Sequence, residues 1–436
     1  MINASENDIQ RIDSKLYENS AHLETLDLSH NRISTITPHT FEGSFKLKHL
    51  NLSYNQIKRI DFKGLSSIKN LDVLHLDHNQ IKEIRGDFKD FKPNWKELYL
   101  QNNQLTTLGT SFVNSLSGSY LDISFNSINE AKFHDSNLIE LKIQNCNLMI
   151  LTIGKNLEKL DASFNKRVYF YIEFKNNTKL KFLNLANSHI ESRNELTKAI
   201  PNFKRLQYLN LNHASPTGYL TQEMLKDHKE LETLKLRNLL MPENTLSEND
   251  FVRMTKLTEL DLSRNYYKEF DLNALNKSKN LEILSFRTCY ARNLTGWRNL
   301  GTLFPKLKKI DFFQNMFPCD ETKEMIDDFK KKGIEIVDLE LFGEENFIKK
   351  SCKEDFASEE YDEYIDFDKD YGFSMKYRKK DKKDEPEKSD DAWWIVTTMF
   401  MICVVICGLV YVQRKFNIFT KITIQNRSEE LISRES

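Results

Sequence analysis

LETLDLSHNRI, Leu23 to Ile33, decides how the rest of the chain reads. Its pattern is leucine, two variable residues, leucine, one variable, leucine, two variable, asparagine, one variable, aliphatic. The pattern returns as Leu47–Ile57 (LKHLNLSYNQI), Leu71–Ile81 (LDVLHLDHNQI) and Trp95–Leu105 (WKELYLQNNQL). Weaker copies begin at Gly118, Leu138, Leu157, Leu180, Leu206, Leu231, Leu257, Leu281 and Leu307. These are thirteen starts, mostly 23 to 26 residues apart. In-register self-similarity at this period marks coils stacked into a solenoid.

The spacing has a physical meaning. Leu26 and Leu28 are two apart, so they share one side of a short strand. Leu23 and Ile33 turn in from either end, and one coil cannot bury all four without its neighbours. Asn at the ninth position (Asn31, Asn55, Asn79, Asn103, Asn126, Asn165, Asn265, Asn315) sits where the strand bends away. There its amide can satisfy backbone groups of adjacent coils. Cys146 and Cys289 take the same position and read as buried thiols. The third, fifth and seventh positions are expected to face outward. A helical repeat is excluded by the short LxL core and the turn-forming Asn after it.

Over roughly residues 1–352 the chain resembles the leucine-rich-repeat family. The resemblance implies an α/β solenoid, a curved horseshoe with a parallel sheet on its concave side and loops or short helical turns outside. Phe41, Phe112 and Phe251 are expected beneath that outer layer. Asn7 lies 24 residues before Asn31, and Ile2, Ile9 and Ile12 fit the apolar positions of the same coil. The repeats, residues 1–314, therefore open in mid-coil, and no secretory signal is visible. An N-terminal piece is expected to be missing. The two short steps, Gly118 to Leu138 and Leu138 to Leu157, should flatten the curvature locally.

Residues 315–352 carry Cys319, an amphipathic stretch from Glu321 to Lys332, a Gly333 stop and Cys352. They are similar to the C-terminal cap of extracellular leucine-rich-repeat proteins. That likeness implies a Cys319–Cys352 bridge and an oxidising compartment. Glu321 stands where the fuller cap has a second cysteine. Residues 353–391 are charged and expected to form a solvated juxtamembrane stalk. Acidic neighbours make its Tyr361, Tyr364 and Tyr371 candidates for sulfation. Residues 393–412, WWIVTTMFMICVVICGLVYV, are uncharged and long enough for one transmembrane helix, with Trp393, Trp394 and Tyr411 at the ends. Arg414 and Lys415 follow, which places the tail, 413–436, in the cytoplasm and the repeats outside. A type I plasma-membrane protein is expected. Its sequons are Asn3, Asn51, Asn176, Asn276 and Asn293, of which Asn51 falls in a concave strand.

The net charge of −1 and the scattered lysines imply no nucleic-acid partner. No HExxH, GxSxG or phosphate loop appears, so no enzyme, cofactor or metal is expected. Binding is the stronger reading. Generic Asp and Ser on the outward positions serve solubility, and departures from them mark a candidate surface. One group is His75, Asp77, Tyr99, Gln101, Tyr120, Lys142 and Gln144; the other is Phe182, Tyr208, Asn210, Lys235 and Arg237. Exposed Tyr and Arg dominate interface energetics. The tail is too short for a TIR or kinase domain. The expected role is recognition of a protein or glycan ligand by a receptor or co-receptor, working through a membrane partner or a homodimer, in the manner of Toll-type ectodomains and arthropod immune proteins. Cell adhesion is the alternative.

Overall fold

The computed structural model describes residues 1–352 apart from 14–16, 18–19, 38–39, 87–94, 117–119, 167–170, 175–176, 191–195, 197, 215–224, 240–250 and 252, together with the backbone of 361–368 and 372–379. The chain divides into two units, Met1–Asp355 and Phe356–Ser436. The apolar stretch 393–412 and the tail lie outside the described residues. Among the described residues no helix is long and apolar enough to cross a membrane.

The first unit is built on one parallel sheet of fifteen short strands, running in chain order from Ile2–Asn3 to Glu335–Ile336. Each repeat supplies one strand, and the register is uniform. Leu26 pairs Leu50, Leu50 pairs Leu74, and so on through Leu284 and Ile310. The fourth-position leucines form a column fully closed to solvent. Phe41, Phe112 and Phe251 are buried as expected.

The ninth-position asparagines behave as a ladder. Asn55 Nδ2 donates to Leu28 O in the preceding coil at 3.0 Å and to Leu52 O and Ser53 O in its own. Its Oδ1 accepts from Ile33 N at 2.9 Å. In the cysteine coils the thiol takes over only the donating half, with Cys146 Sγ reaching Ile123 O and Cys289 Sγ reaching Leu262 O. Burial pushes the Cys146 thiol up to about 12, and Cys289 moves the same way for the same reason. Both are expected to resist a thiol reagent in the folded protein and to react once it is unfolded, which titration with and without denaturant checks.

The short steps have a structural counterpart. Glu130–Phe133, Ile150–Ile153 and Tyr171–Phe174 pair into a three-stranded parallel sheet on the outer side. Strands on both faces repeat at the same spacing, about 4.8 Å, so these coils cannot splay. Outer strands also pair in longer coils, Arg59–Asp61 with Glu83–Arg85 and Glu269–Asp271 with Asn293–Thr295, but there only in twos.

At the C-terminal end the helix Cys319–Lys331 buries Met325, Ile326 and Phe329 over the last coil. Phe329 meets Phe312 edge-on at 5.7 Å. Cys319 and Cys352 are joined across 33 residues. Glu321 accepts from Trp297 Nε1 at 2.8 Å, so a hydrogen bond to the neighbouring coil occupies the place of a second cysteine.

In the second unit Tyr361–Asp368 pairs antiparallel with Gly372–Lys379. The expected solvated segment thus contains a hairpin. Its register sets Asp362 opposite Arg378 and Glu363 opposite Tyr377.

Candidate interaction face

One expectation needs correction. The seventh position faces outward only in part: Ser29, Ser53, Asp77, Ser124, Ser163 and Ser263 are buried, whereas Gln101, Gln144, Arg237 and Arg287 are half-buried. The cause is local hydrogen bonding. Asp27 Oδ1 accepts from both Ser29 N and Ser29 Oγ, and Asp161 holds Ser163 in the same way. The Asp-x-Ser pairs close on themselves, which leaves them little capacity for a ligand. Asp77, a candidate, is therefore covered, and Gln101 is half-buried with its Oε1 enclosed and without a hydrogen-bond partner.

The position the sequence reading passed over is the eighth. Glu6, His30, Tyr54, His78, Asn102, Phe125, Asn145, Phe164, Asn187, His213, Asn238, Arg264, Thr288 and Gln314 all have φ between 49 and 60°. The left-handed residue swings the ninth side chain into the core and its own side chain out along the sheet edge. Asn and His accept this conformation readily, whereas bulky residues carry strain. Tyr54, Phe125 and Phe164 nevertheless occupy it with 44%, 48% and 47% of their surface exposed. His30, Tyr54 and His78 stack at 4.2 and 4.1 Å with planes 10° apart.

Asp77 ties this edge to the sheet face. Its carboxylate meets His78 Nδ1 at 3.0 Å and His75 Nδ1 at 3.5 Å. Burial raises the Asp77 pKa, but the two histidines outweigh it, and the net direction is downward, so the carboxylate stays ionised. From there the candidates run in sequence across four strands. His75 stacks on Tyr99 at 4.3 Å, Tyr99 meets Tyr120 at 5.1 Å, and Lys142 Nζ lies 5.3 Å from the Tyr120 ring centre. Tyr99 donates to Glu97 at 2.7 Å. Burial and nearby carboxylates push both phenols up, so they remain neutral donors. Gln144 lies half-buried beyond, its backbone N–H bound by Ser124 Oγ. The first candidate group is thus contiguous.

The second group is assembled less completely. Phe182 stacks on Tyr208 at 4.3 Å, and Asn210 Nδ2 reaches Tyr208 Oη at 3.4 Å. Lys235 is consumed by Glu259 at 2.7 Å. Arg237 has no such partner among the described residues; its Nε is enclosed and makes no hydrogen bond. Burial first, then the charges of Arg264 and Arg287, holds its pKa below the ordinary arginine value.

The sequons spread over the first unit. Asn3 is exposed on the first strand, Asn51 lies in the long sheet with its Oδ1 held by Ser53, Asn276 closes a half-buried outer turn, and Asn293 is exposed on an outer strand. Asn176 lies outside the described residues. Among those residues no group of three or more His, Cys, Asp or Glu is placed to hold a metal.

Residues 2–57 and 21–81 match the family model described as leucine rich repeat, and residues 69–115 match leucine rich repeats in two copies. No curated protein matches the sequence. Among solved structures, the Drosophila Toll–Spatzle complex aligns at TM-score 0.58 and 17% identity, covering 75% of this chain and 46% of the Toll chain. The leucine-rich repeat domain of APL1B aligns at TM-score 0.51 and 18% identity, covering 75% of this chain and 87% of that one. An internalin from Listeria monocytogenes gives 0.47 at 20% identity, over 71% of this chain and 86% of its own. This chain spans less than half of the Toll chain it matches. Residues 2–115 therefore carry leucine-rich repeats by sequence, and the leucine-rich-repeat fold extends from strand Ile2–Asn3 to the cap strand Glu335–Ile336.

Proposed function

We propose that this chain is the recognition part of a single-pass cell-surface protein that binds a protein ligand through the long-sheet face. It acts as a receptor or co-receptor that passes information through a membrane partner. The observation that carries the reading is the continuous stack His75–Tyr99–Tyr120–Lys142, half-buried and open to solvent on one side. Stacked aromatics lose little conformational freedom on binding and bury large area. The disulfide-closed cap, the sequons and the uncharged run 393–412 support placement of the repeats outside the cell. Toll, similar in fold, was solved as a complex with Spatzle.

Labelling intact cells that express the full chain with an impermeant biotin reagent tests the placement. Surface labelling together with a glycosidase-sensitive mass supports it, and an unlabelled chain overturns it. The binding face is tested by photo-crosslinking the surface-expressed chain to its neighbours. Tyr99→Ala combined with Tyr120→Ala is expected to cut capture at least about 30-fold, the effect of losing hot-spot aromatics. Undiminished capture removes this face from the proposal. Aggregation of non-adherent cells expressing the chain would instead favour homophilic adhesion.

A further inference from the structure

Ser188 replaces asparagine in the coil starting at Leu180 and keeps a polar group there, and the next two coils, starting at Leu206 and Leu231, lose it altogether, with Ala214 and Leu239 at the ninth position. Ala214 N turns back to Leu211 O within its own coil. Breaks in an otherwise consistent local rule concentrate at functional sites. These coils also carry Arg237 and His213, and their successor carries Arg264.

Charges around Arg237 do not balance locally. Arg287, two coils on, is satisfied by Asp311 at 3.1 Å and by Asp338, and it covers Phe313 at 4.8 Å. Those two carboxylates are therefore taken. Lys235 and Glu259 neutralise one another. Asp261 remains, and its Oδ1 accepts from Ser263 N at 2.9 Å. Arg237 and Arg264 thus face one engaged carboxylate. Arg237 N is fixed by Asn212 Oδ1 at 2.7 Å, Arg237 O accepts from His213 N, and Asn238 Nδ2 donates to His213 Nδ1 at 3.0 Å. That last bond leaves the neutral His213 ring with its proton on Nε2. Burial, with Arg237 and Arg264 adding to it, lowers the His213 pKa and favours that neutral donor.

Among the described residues Arg237 Nε–H has no acceptor although the residue is only half-buried, and an unpaired polar group costs free energy. We propose that Arg237, Arg264 and His213 form an oxyanion subsite that receives the carboxylate of an Asp or Glu side chain from a protein ligand. The inference rests on the proposed recognition function and gives the ligand its chemistry. The planar guanidinium fork matches a carboxylate. The stacked Phe182–Tyr208 pair on the two preceding strands offers an apolar platform beside it. A sulfated polysaccharide needs a repeated basic stripe. This sheet instead alternates acid with base, as Glu140–Lys159, Glu158–Lys181 and Lys235–Glu259.

The test is thermal unfolding of the purified full chain in N-acetylglutamate α-amide, in sulfate and in chloride at matched ionic strength. Wild type is expected to gain about 2 °C in the glutamate mimic over chloride. Arg237→Met is expected to raise Tm in chloride, because a repelled and orphaned charge is gone, and to lose the gain. Arg264→Gln halves it or more. Stabilisation by sulfate alone overturns the carboxylate assignment. A fall in Tm for Arg237→Met with the gain intact overturns the subsite. Neither outcome depends on where the chain resides in the cell, so this test can fail while the recognition reading stands.

Discussion

Asn165→Ala is expected to lower the unfolding free energy of the solenoid by about 3–5 kcal/mol, the cost of leaving several buried polar groups without partners. Asn165 is fully buried. Its Nδ2 serves Ile143 O at 3.0 Å and Ala162 O at 2.9 Å, and its Oδ1 accepts from Cys146 N at 3.0 Å and Leu148 N at 3.3 Å. The double acceptance recurs at Asn315, which takes Cys289 N and Ala291 N, so it marks the two junctions where the preceding coil carries a cysteine that supplies no oxygen. Asn165→Cys separates the two halves of the role. A thiol can donate to Ile143 O as Cys146 does to Ile123 O, but it cannot receive the two N–H groups. Its cost is expected to fall between wild type and alanine. Urea unfolding of the three proteins orders them; equal values for wild type and alanine would remove the ladder as a source of stability.

Removing the cap bridge by Cys319→Ser with Cys352→Ser is expected to cost about 3–4 kcal/mol, from the entropy regained by a loop of this length. The damage should be local before it is global. The cap helix covers Phe312 and Phe347 approaches the same ring at 5.4 Å, so an open cap exposes the end of the core. A repeat array transmits such fraying inward one coil at a time. Hydrogen exchange is expected to rise first in Lys309–Asp311 and Ile283–Ser285, while Leu74 and its neighbours keep their protection. Uniform loss of protection along the sheet would show that the bridge stabilises the array as one unit.

Much of this fold is legible because the leucines and asparagines recur at fixed intervals, and each interval has one structural solution. Leu26, Leu50 and Leu74 could hardly pair otherwise. The face was less legible. The seventh position looked outward because strands alternate, yet Ser29 and Asp77 lie where the strand has already begun to turn, and their hydrogen bonds fold them under. The eighth position was passed over because its signal is conformational: nothing in the letters of Tyr54 or Phe125 announces a positive φ. The cationic site was in view through Arg237, but its partners His213 and Arg264 are eighth-position residues and so were missed. The lapses at Ala214 and Leu239 stood in the sequence as departures from the repeat. Their meaning emerged only once Arg287, but not Arg237, was seen to have carboxylates of its own.

The block in which Glu130–Phe133, Ile150–Ile153 and Tyr171–Phe174 knit the outer side acts as a gauge. Lys142 and Phe182 stand two ladder steps apart, about 9.6 Å. The block backs the first of those steps, from Glu140–Lys142 to Lys159–Asp161, which is hydrogen-bonded on front and back and so is stiffened. A ligand that touches both the tyrosine row and the arginine pocket must bring two features already set at a matching distance. Discrimination among ligands would then lie in their stiffness and measure as much as in their chemistry.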